Sequence, residues 1–178
     1  MLRPACDTAG MDDLIESLAR AAEAFRALRG PVEAGEPWPL SPAYGTEPES
    51  DWGPKETLAH VDEMIPFWLD QVDGILAAAG PDPVPFGRTA ADPERIGRIG
   101  RDREQPASEL FDRFDREVAA ATERVRALPP GAGERLGRHL RLGDMTVADI
   151  VERFVIHHVG EHTRQLGEIV DAAAAPGR

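Results

Sequence analysis

Pairings of proline with glycine divide the chain, and they restrict the fold more than any other feature of the sequence. They occur at Gly30-Pro31, Gly80-Pro81 and 129–131. Proline lacks the backbone N–H that a helix needs, so no regular helix runs through these positions. Between them, apolar residues recur every three or four positions, as on the buried face of an amphipathic helix. We therefore predict four helices, at about 11–29, 54–79, 106–128 and 146–174.

Further signals mark the beginnings of these segments. Pro54 suits the first turn of the second helix, where an N–H would have no partner within the helix. Thr146 and Asp149 have the spacing of a capping box at the start of the fourth helix. No segment has the alternating pattern of a strand, and 178 residues are the size of one domain. We predict a single all-α domain over residues 1–178, folded as a four-helix bundle.

The connections between the helices are long, at about 17 to 25 residues, whereas neighbouring helices of compact bundles are usually joined by about 2–8 residues. We therefore expect either a crossover along the bundle or lids over a site. The connection from Pro81 to Gln105 has room for one helical turn at about 93–99. Its arginines alternate with acidic residues, which is typical of a solvated loop; they are Arg88, Arg95, Arg98, Arg101 and Arg103.

The charge balance excludes one class of partner. The chain has 20 lysines and arginines against 32 acidic residues, a formal net charge of −12. Such a chain repels polyphosphate backbones, so we expect no nucleic-acid partner. We also expect no membrane, because no apolar run approaches the roughly 18 residues that a span needs. Cys6 is the only cysteine, and the N-terminal residues lack the apolar segment of a secretory signal, so we expect a cytoplasmic protein.

Three of the five histidines lie together in the fourth helical segment. His158 and His162 are four residues apart and therefore point to the same face, while His157 points to the flank and is expected at the surface or at a dimer interface. A buried imidazole without a partner costs roughly 1–3 kcal/mol. The pair therefore needs either hydrogen-bond partners in the core or a metal ion, since histidines at this spacing are a recurrent pair of metal ligands.

A metal site needs a third ligand, and His60 in the second helix is the best candidate. It lies at the edge of the apolar stripe of that helix. Glu63 and Glu161 are the carboxylate alternatives, although both are expected on outer faces. Gln165 is placed to orient a ligand from behind, or to lie at the edge of the bundle. His139 is expected in a loop, solvated or capping, and the lesser alternative is that it lines the site. The spacing alone leaves the metal site and the metal-free core both open.

Several motifs together resemble one family. They are Trp52, Leu-Ala-His-Val at 58–61, Gly-Arg-His at 137–139, Leu-Gly-Asp-Met-Thr at 142–146, and His-His-Val-Gly-Glu-His-Thr-Arg-Gln-Leu at 157–166. In order and spacing the chain resembles the DinB-like superfamily over nearly its whole length. That superfamily includes the YfiT-type metal-dependent hydrolases and is related to the N-terminal domains of mycothiol-dependent maleylpyruvate isomerases.

The resemblance implies a bundle in up-down-down-up order, often a homodimer, in which His60, His158 and His162 hold a divalent ion. Zinc and nickel lead, and iron or copper also suit three imidazoles. In this topology the connection from Pro81 to Gln105 crosses between two helices that run in the same direction. Three neutral imidazoles leave positions open to water or substrate, as catalytic sites do.

The resemblance also implies a small-molecule chemistry, either a mycothiol-type S-transferase that uses a low-molecular-weight thiol or a hydrolase. Glu161 and Asp62 are the candidates for a general acid or base. The alternative is a non-catalytic metal- or ligand-binding bundle with a role in stress. A third possibility is a metal-free bundle whose histidines are hydrogen-bonded in the core.

Overall fold

The computed structural model describes residues 7–42, 44–45 and 49–175, with side chains from Gly10 onward, so Cys6 lies outside the described residues. Four long helices dominate, joined by shorter helices and three short strands. The helices are α1 (Asp7–Arg26), α2 (Arg29–Ala34), α3 (Pro54–Ala77), α4 (Pro93–Asp102), α5 (Ala107–Arg126), α6 (Val147–Val151) and α7 (His158–Ala174), with a π-helical segment at Glu152–His157 between the last two. The strands are β1 (Val84–Phe86), β2 (Leu136–His139) and β3 (Gly143–Thr146).

The helices α3 and α5 run parallel to each other. Lys55, at the start of α3, donates to the carbonyl of Gln105, two residues before α5 begins. Arg124, near the end of α5, contacts Asp70 and Asp73 in the last third of α3, at 2.9 and 2.6 Å. The beginnings of α3 and α5 therefore lie together, and so do their ends.

The other two long helices run the opposite way. Arg29, just after α1, binds Asp112 in the first half of α5 at 2.7 Å, so α1 is antiparallel to α5. Along α3, Trp68 stacks on Phe154 and the earlier His60 meets the later His158, so the last helix is antiparallel to α3. The order is up-down-down-up, and the predicted all-α bundle is confirmed.

The connection from the end of α3 to the start of α5 crosses the length of the bundle, as two parallel neighbours require. It contains β1 and α4. Asp92 caps α4 by accepting from the N–H of Arg95 at 2.9 Å, and Pro93 occupies the first turn. The helical turn predicted at about 93–99 is confirmed and continues to Asp102.

The expectation of no strands is wrong. The strand β1 pairs in parallel with β2, which pairs antiparallel with β3. Each strand has three or four residues, too few for an alternating pattern to stand out in the sequence. Gly137 lets this sheet approach α3, because a Cβ at that position would lie 2.5 Å from Ile75 Cδ1. The sheet closes one end of the bundle beside the second half of α3.

The first predicted helix ends earlier than expected. The helix α1 ends at Arg26, and Gly30-Pro31 lie inside the short helix α2 and do not terminate a helix. Pro31 is tolerated there because it stands in a first turn, where its missing N–H is not needed. The predicted capping box at Thr146 is confirmed, with Thr146 Oγ1 accepting from the N–H of Asp149 at 3.0 Å. Among the described helices, none is long and apolar enough to cross a membrane.

Candidate metal centre

Three histidines from two antiparallel helices meet in the buried interior. His60 comes from α3, and His158 and His162 come from the first two turns of α7. The Nε2 atoms of His60 and His158 lie 3.3 Å apart, and the ring centres of His60 and His162 are 4.9 Å apart. With Glu49 added, one ligand atom from each of the four residues lies within 4.8 Å of the others. The structure thus brings together the three histidines named from the sequence; that they bind an ion stays a prediction.

A π-helical segment at Glu152–His157 leads directly into the α7 histidines. In such a turn each N–H bonds to the carbonyl five residues back, which widens the helix and shifts its buried face. Val155 and Ile156 are both buried, and the next buried position is Val159. His157 lies on the outside with 66% of its side chain exposed, as expected. His158 is half-buried and borders a cavity.

Burial keeps these imidazoles neutral. It lowers the pKa of His60 well below 6.5, with His162 and His158 adding to the effect. Burial, followed by the neighbouring His162, lowers the pKa of His158 to about 3. Burial also lowers the pKa of His162, against the opposing effect of its hydrogen bond to Gln165. Neutral imidazoles offer the lone pairs that metal binding needs, because a bound metal and a bound proton compete for the same atom.

Gln165 fixes the orientation of His162. Its Nε2 donates to the carbonyl oxygen of Glu49 at 2.7 Å, so its Oε1 must face His162 Nδ1, which lies 2.9 Å away. That ring nitrogen therefore carries the hydrogen, and Nε2 of His162 keeps its lone pair. This Nε2 is buried, and none of the described residues bonds to it. A histidine held from behind in this way is typical of a metal ligand.

Glu49 is the fourth member of the cluster, and the sequence interpretation missed it. It lies in a single turn at Glu49–Asp51, and Arg95 binds its carboxylate. Arg95 also donates to the carbonyl of Ala90 at 3.1 Å, and only 5% of it is exposed. The expectation that Arg95 is solvated is therefore wrong: α4 carries it inward to pair with Glu49. An acidic residue eleven positions before His60 gives no signal by spacing, since their contact depends on a turn.

The carboxylates named from the sequence separate into three situations. Glu63 was expected on an outer face, yet it is buried, because Arg88 crosses from the connection and donates to it at 2.6 Å. Its Oε2 lies 3.9 Å from His60 Nδ1, on the side of that ring away from His158. Glu161 is exposed and borders the cavity. Asp62 is buried but does not line the cavity, which speaks against it as a general acid or base there.

A cavity of about 570 Å³ lies beside the histidine cluster and has both charged and aromatic walls. His60, His158 and Glu49 line its inner side. Trp68 and Phe154 form a stacked pair in its wall, with ring centres 4.2 Å apart. Its arginines and glutamates each come from a different segment of the chain and are Arg88, Arg95, Arg141, Arg153, Glu49 and Glu161.

His139 lines this cavity, which was the lesser alternative, and the expectation that it is solvated is wrong. It ends β2 with 6% of its surface exposed, and its ring packs 5.2 Å from that of Phe154. Its Nδ1 accepts from the backbone N–H groups of Arg141 and Leu142, at 3.3 and 3.2 Å. Gly87, at φ +97°, provides the space, because a Cβ there would lie 2.8 Å from the His139 ring.

An up-down-down-up bundle with a histidine cluster between its second and last long helices defines a class of helical proteins with a candidate metal centre. The sequence profile of the DinB superfamily matches residues 14–166, and the chain belongs to this superfamily. No curated protein and no solved structure gives a significant match to the chain. The histidine and glutamate cluster fits a divalent metal ion.

Proposed function

We propose that the protein binds one divalent metal ion through His60, His158 and His162, and that it acts on a small molecule held in the adjacent cavity. The observation that carries this proposal is the buried Nε2 of His162, which has no hydrogen-bond partner among the described residues and whose lone pair Gln165 directs inward. A polar atom left in that state costs roughly 1–3 kcal/mol. An ion bound by this nitrogen together with nitrogens of His60 and His158 would offset this cost.

The chain's own residues have distinct roles in this proposal. Gln165 holds His162 in one tautomer, and Arg95 holds Glu49 where it is available as a fourth ligand. Trp52 packs its ring edge-on against His60, with centres 5.4 Å apart, and excludes water from behind the site. When bound, a divalent ion would supply Lewis acidity toward a water molecule or a thiol sulfur. Zinc and nickel are the first candidates, followed by iron and copper.

Two reaction classes fit this arrangement, namely thiol-dependent S-transfer, with a mycothiol-type co-substrate, and hydrolysis. The cavity supports both, because its volume of about 570 Å³ lies in the range of small-molecule sites. Glu161, exposed at the cavity, is the carboxylate available for proton transfer. The competing class is a binding bundle in which the ion only stabilises the fold. The homodimer implied by the family resemblance belongs to the same proposal, and analytical ultracentrifugation tests it.

Metal analysis tests the central claim, with two neighbouring histidines as variant and control. We expect about one zinc ion per chain after loading, and a melting temperature that falls on chelation. His162→Ala should lose the ion. His157→Ala removes an exposed imidazole five positions earlier in the sequence and should keep it. Wild-type protein that takes up none of the four metals, with a melting curve unaffected by chelator, would reject the proposal.

Turnover assays then separate an enzyme from a binding bundle. The zinc-loaded protein is offered low-molecular-weight thiols with monochlorobimane, and separately a panel of esters and amides. Thiol conjugation that disappears in His162→Ala supports S-transfer, and metal-dependent cleavage of an ester or amide supports hydrolysis. A metal-loaded protein that turns over neither set belongs to the binding class.

A further inference from the structure

The charge of the cavity is opposite to that of the chain. Four arginines and two glutamates line it, whereas the whole chain has a formal net charge of −12. Arg88 and Arg95 are already neutralised by Glu63 and Glu49. The charges that remain along the cavity are the two arginines Arg141 and Arg153 and the carboxylate of Glu161. An acidic protein that concentrates positive charge in one cavity attracts anions to that cavity.

The other two arginines keep their charge available. Arg141, after β2, and Arg153, in the π-helical segment, are both exposed and border the cavity. Within the described part of the chain, no carboxylate forms an ion pair with either one. Both act electrostatically on His139, whose pKa is lowered first by burial and then by these two charges. Two guanidinium groups thus lie near the same wall of the cavity.

His139, on which both charges act, adds a neutral donor to the cavity. The backbone N–H groups of Arg141 and Leu142 both point at its Nδ1, so Nδ1 must be the acceptor and Nε2 must carry the hydrogen. No described residue accepts a hydrogen bond from Nε2. A donor that is fixed in direction and has no acceptor in the protein is suited to a ligand oxygen.

Aromatic rings form part of the wall of the same cavity. The rings of Trp68 and Phe154 are stacked at an angle of 14°, and His139 lies against Phe154 at 29°. Aromatic faces of this kind bind planar groups by offset stacking. The wall and the donors therefore favour a ligand with a planar body and an oxyanion at its edge.

We propose that Arg141, Arg153 and His139 form an anion subsite, and that the substrate is a small planar organic acid carrying a carboxylate or a phosphate. This inference rests on the proposed function, since it names the substrate class of the same cavity. The arginines bind the oxyanion, His139 donates to it through Nε2, and the body lies on Phe154 with its other end toward the histidine cluster. Arginine guanidinium groups bind the oxygens of carboxylates and phosphates equally well in geometry, so binding experiments have to identify the head group.

Calorimetric titration of the zinc-loaded full chain with benzoate, phenyl phosphate and benzamide tests the subsite. Benzamide has the shape of benzoate without its charge. We expect at least one of the two anions to bind about tenfold more tightly than benzamide, as charge-assisted hydrogen bonds allow. The tighter anion identifies the head group. Anions that bind no better than benzamide would overturn the proposal.

Variants locate the binding site. Arg141→Gln with Arg153→Gln should abolish the preference for the anion, and His139→Phe, which keeps the ring stack, should weaken the anion severalfold and leave benzamide unchanged. Arg116→Gln is the matched control, because Arg116 is exposed on α5 and does not line the cavity. Anion binding that persists unchanged in the double variant would place the anion elsewhere and reject the subsite.

Repeating the titration on chelated protein separates this proposal from that of the metal. A preference for the anion that survives chelation supports the subsite, even where zinc binding itself fails. A preference that disappears with the metal would mean that the ion and not the arginines holds the anion, which overturns the inference. Zinc stoichiometry, measured in each arginine variant, should stay equal to that of the wild type.

Discussion

Among the titratable side chains that α3 buries, His60 and Asp62 lie two residues apart, and their surroundings differ sharply. His60 meets the imidazoles of His158 and His162 on one face of the helix. Asp62 is 1% exposed on another face, and neither of its oxygens has a hydrogen-bond partner in the described structure. Burial raises the pKa of Asp62 well above its ordinary value and lowers that of His60 well below it.

Both places contain buried polar atoms without partners, yet only one resembles a binding site. At His60 the incompletely bonded nitrogens converge with those of two other side chains and a carboxylate. Asp62 belongs to no such cluster among the residues that the structure describes. Unpaired groups that converge on one point therefore indicate a ligand, whereas a single unpaired group indicates only a local cost in stability. The following predictions test that distinction.

The largest effect is expected from His60→Leu, which removes one of three ligands. Structural zinc binding is worth roughly 10–16 kcal/mol over its ligands, so we expect zinc affinity to fall at least about a hundredfold. The chelated variant should be no less stable than the chelated wild type, because a buried unsatisfied nitrogen has been removed. Competition with a fluorescent zinc chelator gives the affinity. An unchanged affinity would exclude His60 as a ligand.

A second prediction concerns the pH dependence of the chelated protein. The histidines have folded-state pKa values below 6.5, so the unfolded chain takes up more protons as the pH falls through that value. Stability is therefore fully present above about pH 6.5 and falls below it, by up to about 1.4 kcal/mol per pH unit for each histidine.

Urea unfolding of the chelated protein at pH 7.5, 6.0 and 5.0 measures this loss. His60→Leu should make the dependence on pH shallower, because one proton-binding difference is gone. The exposed His157 provides the control, and His157→Ala should retain the slope of the wild type. Equal slopes for the wild type and His60→Leu would contradict the assignment of a buried neutral His60.

The sequence predicts the part of the site that depends on the geometry of single helices. His158 and His162 lie on one helix, so their spacing fixes their relative positions. His60 was found because helical periodicity places it at the inner edge of its own stripe. Both inferences need only the geometry of a single helix, together with a bundle in which the stripes face each other.

The rest of the site depends on tertiary contacts that spacing does not encode. Glu49 reaches the cluster from a short turn, and Arg95 turns inward only because α4 packs beside that turn. His139 is buried because a three-stranded sheet forms, and its strands are too short to be recognised in the sequence. The sequence pattern suggests that Glu63 is a surface residue, but Arg88 from the connection between α3 and α5 pairs with it in the interior. The length of the connections indicates that they are unusual, but the sequence does not indicate which helices, strands and site residues they contain.

A third prediction concerns the support behind His162. Gln165→Ala removes the acceptor for His162 Nδ1, so the ring can rotate or change tautomer. Loss of such outer partners typically lowers metal affinity by about 10 to 100-fold. Arg164→Ala is the control, since Arg164 is the exposed neighbour and pairs with Glu168. Equal zinc affinities of the two variants would show that Gln165 does not orient the ligand.

The smallest effect is expected from Asp62→Asn, and its sign is the opposite of that at the histidines. The folded-state pKa of Asp62 is raised, so the native protein binds more protons than the unfolded chain and is destabilised as the pH rises above 3.8. Replacing the carboxyl with an amide removes that charge. We expect a gain of about 1 kcal/mol in unfolding free energy at pH 7, shrinking toward acid pH.

Urea unfolding at pH 7.0 and 5.0 measures this gain, with Asp82→Asn as the control at an exposed turn. Zinc affinity should not change in either variant, because Asp62 does not line the cavity. A lower zinc affinity in Asp62→Asn would mean that Asp62 belongs to the same site as His60, although the two side chains lie on different faces of α3. A gain in stability that grows toward acid pH would mean that the carboxyl has a partner in the folded protein. The comparison between converging and isolated unpaired groups would then rest on the histidines alone.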